Sequence, residues 1–173
     1  MATATATPTV TGEVKVLREQ LQAISRTLRG NAEGLTQEES LVQPEPGGNC
    51  LNWVVGHVMD TWDLILPLVG QQPVLGREAL ARYKRGSAEL RNCDEAMPLS
   101  DLLAACDEAA RRMDEGLAAL TPEKLDEPAP FSPRKKPDET VRSLLSLVLF
   151  HQAYHTGQTG LLRRIAGKEG KIK

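Results

Sequence analysis

Apolar residues recur at alternating steps of three and four along four segments of the chain. This spacing places them on one face of an α-helix, because each helical turn takes 3.6 residues. The segments extend from Val14 to Leu35, from Cys50 to Leu68, from Leu99 to Leu120 and from Val141 to Ile165. The predicted core face of the second segment is Cys50, Val54, His57, Thr61, Leu64 and Leu68, and that of the third is Leu99, Leu102, Cys106, Ala109, Met113, Gly116 and Leu120. Alternation of apolar and polar residues, the pattern of a strand, does not persist between them. Four apolar faces can close around one core, so the pattern predicts an all-α four-helix bundle.

Capping and breaking residues locate the ends of the predicted helices. Ser100 is the expected N-cap of the third helix, and Thr121-Pro122 should end it. Thr140 or Asp138 should precede the fourth helix, and Gly167 should follow its last turn.

The connections divide the chain into one domain with two tails. The stretch from Gly70 to Met97 is long for a link between neighbouring antiparallel helices, so we expect it to cross the bundle. Residues Arg77 to Leu90 within this stretch suit one short extra helix. We predict a flexible N-terminal tail over 1–12, the bundle over 13–167 and a basic C-terminal tail over 168–173.

Composition and charge exclude several classes of function. The 173 residues are 40% hydrophobic, enough for one core, and the net charge is only -2 with both signs mixed along the chain. We therefore expect no nucleic-acid partner, which would require a one-sided basic surface. Tyr154, Arg163 and Arg164 are expected to be partly exposed, with ordinary packing and ion-pair roles.

Compartment can be inferred from the cysteines and from the lengths of the apolar runs. No run approaches the eighteen or so apolar residues of a membrane span, so we expect a soluble protein without a membrane partner. Cys50, Cys93 and Cys106 are odd in number and lack close pair spacing, which predicts reduced thiols in the cytoplasm. Cys50 and Cys106 fall on apolar faces and should pack in the core.

The three histidines of the chain, His57, His151 and His155, all fall on predicted core faces. Burying an imidazole without a partner costs a few kcal/mol, so three buried imidazoles need a common explanation. Residues i and i+4 share a helix face, and a facing helix can supply a third nitrogen. This constellation predicts a divalent transition-metal site; the alternative is three separately satisfied core histidines.

Three neutral nitrogen ligands leave a coordination position for water or substrate, as in catalytic rather than closed structural sites. A metal held in this way can generate a nucleophile from water or a thiol at neutral pH. Nitrogen ligands suit zinc, nickel, iron or copper, and the ligand set alone does not choose among them. Zinc or nickel is the first expectation, with iron or manganese as alternatives.

Three further residues are candidates for supporting the histidines. Gln158 lies three residues after His155, and Thr61 lies four after His57, so both can orient a ligand or substrate. Asp60 is the nearest carboxylate to His57 along its helix and is a candidate acceptor or base. Hydrogen bonding to the backbone is the alternative for Gln158 and Thr61. The catalytic residues stay unassigned.

Two motifs resemble a known family. The run His151-Gln152-Ala153-Tyr154-His155-Thr156-Gly157-Gln158 resembles the last-helix signature of the DinB/YfiT-like superfamily, and Asn52-Trp53-Val54-Val55-Gly56-His57 resembles its second-helix motif. The resemblance implies a four-helix bundle, commonly dimeric, with a divalent metal on the three histidines. It also implies enzymes such as small-thiol transferases and isomerases, or metal-dependent hydrolases.

The leading functional hypothesis is therefore a metal-dependent transferase that joins a small thiol to a small electrophile. A metal-dependent hydrolase is less favoured, and a non-catalytic metal- or ligand-binding bundle is the rival from another class. The expected partners are a small-molecule substrate, a low-molecular-weight thiol and a second copy of the chain.

Overall fold

The computed structural model describes residues 12–171, which form six α-helices and, within that range, no β-strand. The helices are α1 (Gly12–Ala32), α2 (Gln37–Ser40), α3 (Leu51–Ile65), α4 (Leu99–Ala118), α5 (Pro122–Asp126) and α6 (Val141–Ile165). Short 3₁₀ turns cover Leu66–Val69, Ala81–Tyr83 and Cys93–Glu95. The four long helices α1, α3, α4 and α6 match the four predicted segments and confirm the all-α bundle.

Each long helix packs against two others: α1 and α3 both contact α4 and α6. The start of α3 meets the start of α4, where Asn52 donates to the carbonyl of Met97, and Val69 beyond α3 contacts Gly116 near the end of α4. These two helices are therefore parallel, and the connection between them must return along the length of the bundle. This confirms the predicted crossing.

Burial around the helices follows their place in the bundle. On α4 every residue of the predicted apolar face is buried. Helix α3 is buried on nearly all sides, because α4, α6 and the connection after it all cover it. Its predicted face is wrong near the end: Leu64 is 40% exposed, whereas Trp62 and Ile65 are buried.

The predicted caps are correct at one helix and wrong at another. Thr140 precedes α6; its hydroxyl accepts a hydrogen bond from the Ser143 backbone N–H, and its own backbone N–H donates to the Ser143 hydroxyl. Gly167 follows α6 with φ 82°. Ser100, however, lies inside α4, which begins at Leu99 after Pro98. The start of α4 is capped from another helix, because the Leu99 backbone N–H donates to Gln37 Oε1 of α2 at 2.7 Å.

The connection between α3 and α4 contains 3₁₀ turns instead of the extra α-helix expected over Arg77 to Leu90. Long-range contacts hold it. The buried carboxylate of Asp63 accepts backbone hydrogen bonds from Val74, Leu75 and Gly76 at 2.6–3.0 Å. The connection is thus anchored on α3. Its apolar residues do not recur at helical spacing over enough turns to form a packed helix.

Arg163 corrects a second expectation. Its side chain is buried, at 6% exposure, and its guanidinium donates to the backbone carbonyls of Asn31, Glu33 and Glu169. These carbonyls lie at or just after the C-terminal ends of α1 and α6, where a carbonyl has no N–H partner within the helix. Arg163 supplies the missing hydrogen-bond donors. Tyr154 and Arg164 are exposed, as expected.

The structure describes only part of the two predicted tails, and it also bears on the cysteines and on the apolar lengths of the helices. Of the predicted N-terminal tail, residues 1–11 lie outside the described range, and Gly12 is the first residue of α1; residues 172–173 also lie outside. Lys168 and Lys171 form ion pairs with Glu39 and Glu33. All three cysteines are unpaired, with Cys50 and Cys106 buried. None of the helices within 12–171 is apolar over a bilayer-spanning length.

Candidate metal centre

Helices α3 and α6 bring the three histidines together. His57 projects from α3 and is 8% exposed, while His151 and His155, one turn apart on α6, are half-buried. One nitrogen from each imidazole lies within 4.8 Å of the other two, and within residues 12–171 no other set of three metal-binding side chains is so close. The predicted constellation is thus a single cluster that can hold a metal ion.

The Nε2 atoms converge. His151 Nε2 lies 3.3 Å from His57 Nε2 and 3.1 Å from His155 Nε2. Tetrahedral ligands about 2.0–2.1 Å from a zinc ion are about 3.3–3.4 Å from one another. The spacing of the nitrogens is therefore close to what one shared metal ion requires.

The outward nitrogens of two imidazoles are held by oxygen acceptors. His57 Nδ1 donates to the backbone carbonyl of Tyr83 at 2.9 Å, and His155 Nδ1 donates to Gln158 Oε1 at 2.7 Å. A proton on Nδ1 leaves the Nε2 lone pair free, so both rings present a ligand atom to the cluster. His151 Nδ1 is buried without a partner among the described residues.

The surroundings favour neutral imidazoles. Burial, followed by the charges of His155 and His57, lowers the pKa of His151 to about 4, and burial lowers the pKa of His155. Neutral rings are the form that binds metals. When all three rings carry their proton on Nδ1, three Nε2 lone pairs face one another and repel, and a cation among them removes the repulsion. On this ground the residues fit a divalent metal.

The cluster opens onto a cavity of about 700 Å³ between α3, α6 and the loops beside them. Trp53 stacks on His57, with ring centroids 4.9 Å apart and an interplanar angle of 16°. The other side chains of the wall are mixed in polarity; they include Glu45, Asn49, Arg85, Tyr154, Gln158, Leu161 and Ile165. A small molecule that enters this cavity reaches the histidines directly.

The three predicted supporting residues have different surroundings. Gln158 hydrogen-bonds His155, as described above. Thr61 donates to the backbone carbonyl of His57 at 3.1 Å, which is the alternative considered for it. Asp60 is not the acceptor for His57, because the Tyr83 carbonyl holds that nitrogen; burial raises the pKa of Asp60, and its side chain does not line the cavity.

Tyr83 is the residue that sequence reasoning missed. Its hydroxyl accepts from the backbone of Met97 and donates to Asn52, and its ring is fully buried against Gly56. A backbone carbonyl in an irregular loop leaves no pattern in a sequence. The useful signal was Gly56, one residue before His57, since a glycine inside a buried helix often marks a close approach.

The fold has a counterpart among solved structures, whereas no curated protein matches the chain. A crystal structure of a conserved protein from Enterococcus faecalis aligns with a TM-score of 0.69 at 17% identity, over 89% of this chain and 97% of that one. At this identity the likeness shows the fold alone. The family model of the DinB superfamily matches residues 20–159, a range that contains all three histidines. The chain therefore belongs to the DinB superfamily.

Proposed function

We propose that this protein is a metal-dependent transferase that joins a small thiol to a small electrophile. The observation that carries the proposal is the convergence of three histidine Nε2 atoms, 3.1–3.3 Å from His151 to its two neighbours, on the wall of an open cavity. Zinc or nickel is the first choice of metal, with iron or manganese as alternatives.

An open three-ligand site favours catalysis over a purely structural metal. Structural zinc sites are closed by four protein ligands, whereas catalytic sites keep a position for substrate. The cluster within residues 12–171 has three members, and two of them, His151 and His155, are half-exposed toward the cavity.

The residues of the chain prepare the site by fixing the imidazoles. The Tyr83 carbonyl and Gln158 hold the Nδ1 protons of His57 and His155, so the rings keep their orientation. Trp53 covers one face of His57 and excludes water from it. A divalent metal, when bound, would lower the pKa of a thiol that it coordinates and so supply a nucleophile at neutral pH.

Two alternatives use the same cluster. In a metal-dependent hydrolase, water takes the place of the thiol. In a non-catalytic bundle, the metal stabilises the fold without turnover. The cavity of about 700 Å³ favours either enzyme over the non-catalytic protein.

We further propose a cytoplasmic homodimer; the free cysteines fit a reducing compartment.

Turnover of a model electrophile tests the proposal. Metal-loaded protein is mixed with 1-chloro-2,4-dinitrobenzene and a panel of small thiols, and thioether formation is followed by absorbance. Wild type should exceed the uncatalysed rate, and His151→Ala should lose that excess while remaining folded by circular dichroism. Thr61→Ala, which touches only the His57 backbone, is the matched control and should retain it. Equal rates with metal-loaded and metal-free protein would refute the proposal; metal binding without turnover of any pair would favour the non-catalytic bundle.

A further inference from the structure

Arg85 lies in the loop that supports the metal centre, and its two flanks are fixed on α3. Two residues before it, the carbonyl of Tyr83 accepts a hydrogen bond from His57 Nδ1 at 2.9 Å. Two residues after it, the hydroxyl of Ser87 accepts a hydrogen bond from Trp53 Nε1 at 2.9 Å. Both anchors therefore join this short loop to the helix that carries the first histidine. The position of Arg85 beside the cavity follows from these two attachments.

Among residues 12–171, Arg85 is the one cationic residue that lines the histidine cavity. It forms neither a hydrogen bond nor an ion pair with any residue from 12 to 171, whereas the nearby Arg82 is held by two carbonyls and by Glu95. Glu45 is the one carboxylate that the described part of the chain places on the cavity wall, and it does not pair with Arg85. Arg85 is exposed on the cavity wall and its donors are not engaged by any residue from 12 to 171, so a ligand in the cavity can reach them.

The charges and the wall of the cavity favour one kind of ligand. Arg85 and Glu45 cancel formally, so a divalent metal on neutral histidines leaves the cavity with a net charge of +2. Tyr154 and Leu161, 59% and 62% exposed, add apolar surface to the wall.

We propose that Arg85 binds the carboxylate of a thiol acid. The sulfur of the same molecule would bind the metal held by the three histidines. A guanidinium presents paired N–H donors that match the two oxygens of a carboxylate. The cavity then selects a small thiol acid over a neutral thiol of the same length. This inference rests on the proposed function and adds to it the chemical class of the thiol and a residue that selects it.

Cobalt(II)-substituted protein provides the test, because a thiolate on cobalt gives a near-ultraviolet charge-transfer band. 3-Mercaptopropionate and 3-mercapto-1-propanol, which differ in the carboxylate, are titrated into wild type, Arg85→Gln, Glu45→Gln and Arg26→Gln at pH 7. Arg26 is an exposed arginine on α1, outside the cavity wall, and controls for net charge.

Wild type should bind the thiol acid about tenfold more tightly than the thiol alcohol, the effect of one charge-assisted contact. Arg85→Gln should abolish this preference without changing the Kd of the alcohol, whereas Glu45→Gln and Arg26→Gln should keep it. Equal affinities for the two thiols in wild type, or a preference that survives in Arg85→Gln, would overturn the inference while leaving the metal centre and its thiol intact. Failure of cobalt to bind, or of either thiol to give the band, would overturn the proposed function and this inference together.

Discussion

At the residue scale, a side chain that orients a metal ligand through a hydrogen bond should contribute measurably to metal affinity. Gln158 Oε1 accepts a hydrogen bond from His155 Nδ1 at 2.7 Å, whereas the hydroxyl of Thr61 donates to the backbone carbonyl of His57. Partners of this kind change metal affinity by about 10–100-fold when they are removed. We predict that Gln158→Ala weakens zinc binding at least about tenfold in competition with a chromophoric chelator. Thr61→Ala is the control and should bind as wild type; equal affinities in all three proteins would count against the orienting role.

Neighbouring arginines on α6 provide a second comparison. Arg163 is buried and donates to three backbone carbonyls, whereas Arg164 is exposed and makes no hydrogen bond to the described residues. Arg163→Met removes the donor from one buried carbonyl, that of Asn31, and from two partly buried ones, so urea unfolding should show a loss of about 2–3 kcal/mol. Arg164→Met should stay within about 0.5 kcal/mol of wild type. If the two variants lose the same stability, the carbonyl contacts of Arg163 contribute little.

At the element scale, the contact between α3 and the loop around Tyr83 depends on Gly56. A Cβ at this position would lie 2.1 Å from Tyr83 Cδ1, and Tyr83 is fully buried. We predict that Gly56→Ala destabilises the fold by about 1–3 kcal/mol and also weakens metal binding, since the Tyr83 carbonyl must move away from His57.

Gly157→Ala is the matched control for this change. Gly157 also lies within a long helix, but an added Cβ there meets nothing within 4 Å. Alanine should therefore stabilise α6 by up to about 1 kcal/mol, through helix propensity alone. Denaturant unfolding and chelator competition of both variants check the prediction. A Gly56→Ala protein as stable as Gly157→Ala would show that the contact with Tyr83 is loose.

The helices could be read from the sequence because their apolar faces repeat over several turns. The face of α4 was predicted residue by residue, since that helix buries one side only. Helix α3 was harder: it is covered on nearly all sides, so apolar residues no longer mark a single face, and Leu64 was placed in the core although it is exposed. Periodicity identifies a helix, but it gives the buried face only where the other face meets solvent.

At the scale of the whole molecule, the histidines were predictable and their supports were not. The i, i+4 spacing of His151 and His155 places them on one helix face, and the fold then brings His57 to them. Tyr83 and Arg85 come from the long connection between parallel α3 and α4, whose path depends on contacts such as Asp63 with the Val74 backbone. Such contacts are distant in sequence and leave no local pattern.

The protonation of the cluster should make the stability of the metal-free protein depend on pH. The pKa of His151 is about 4 in the folded chain, whereas an imidazole in the unfolded chain has the ordinary value of 6.5. Between pH 4 and 6.5 the unfolded chain therefore binds more protons than the folded chain. Unfolding free energy should therefore fall as the pH drops from 6.5 toward 4. Urea unfolding of metal-free wild type and His151→Gln at pH 7.5 and 5.0 checks this. The variant should lose less stability on acidification; equal losses would mean that His151 is protonated alike in both states.

Metal content is the measurement that tests the central claim most directly. Protein purified without a metal-affinity tag is examined by elemental analysis, as wild type and as the His151→Ala, His155→Ala double variant, with folding checked by circular dichroism. The three converging nitrogens predict close to one divalent metal ion per wild-type chain and none in the folded variant. A wild-type protein that holds no metal, even after incubation with zinc, nickel, iron and manganese, would contradict the account.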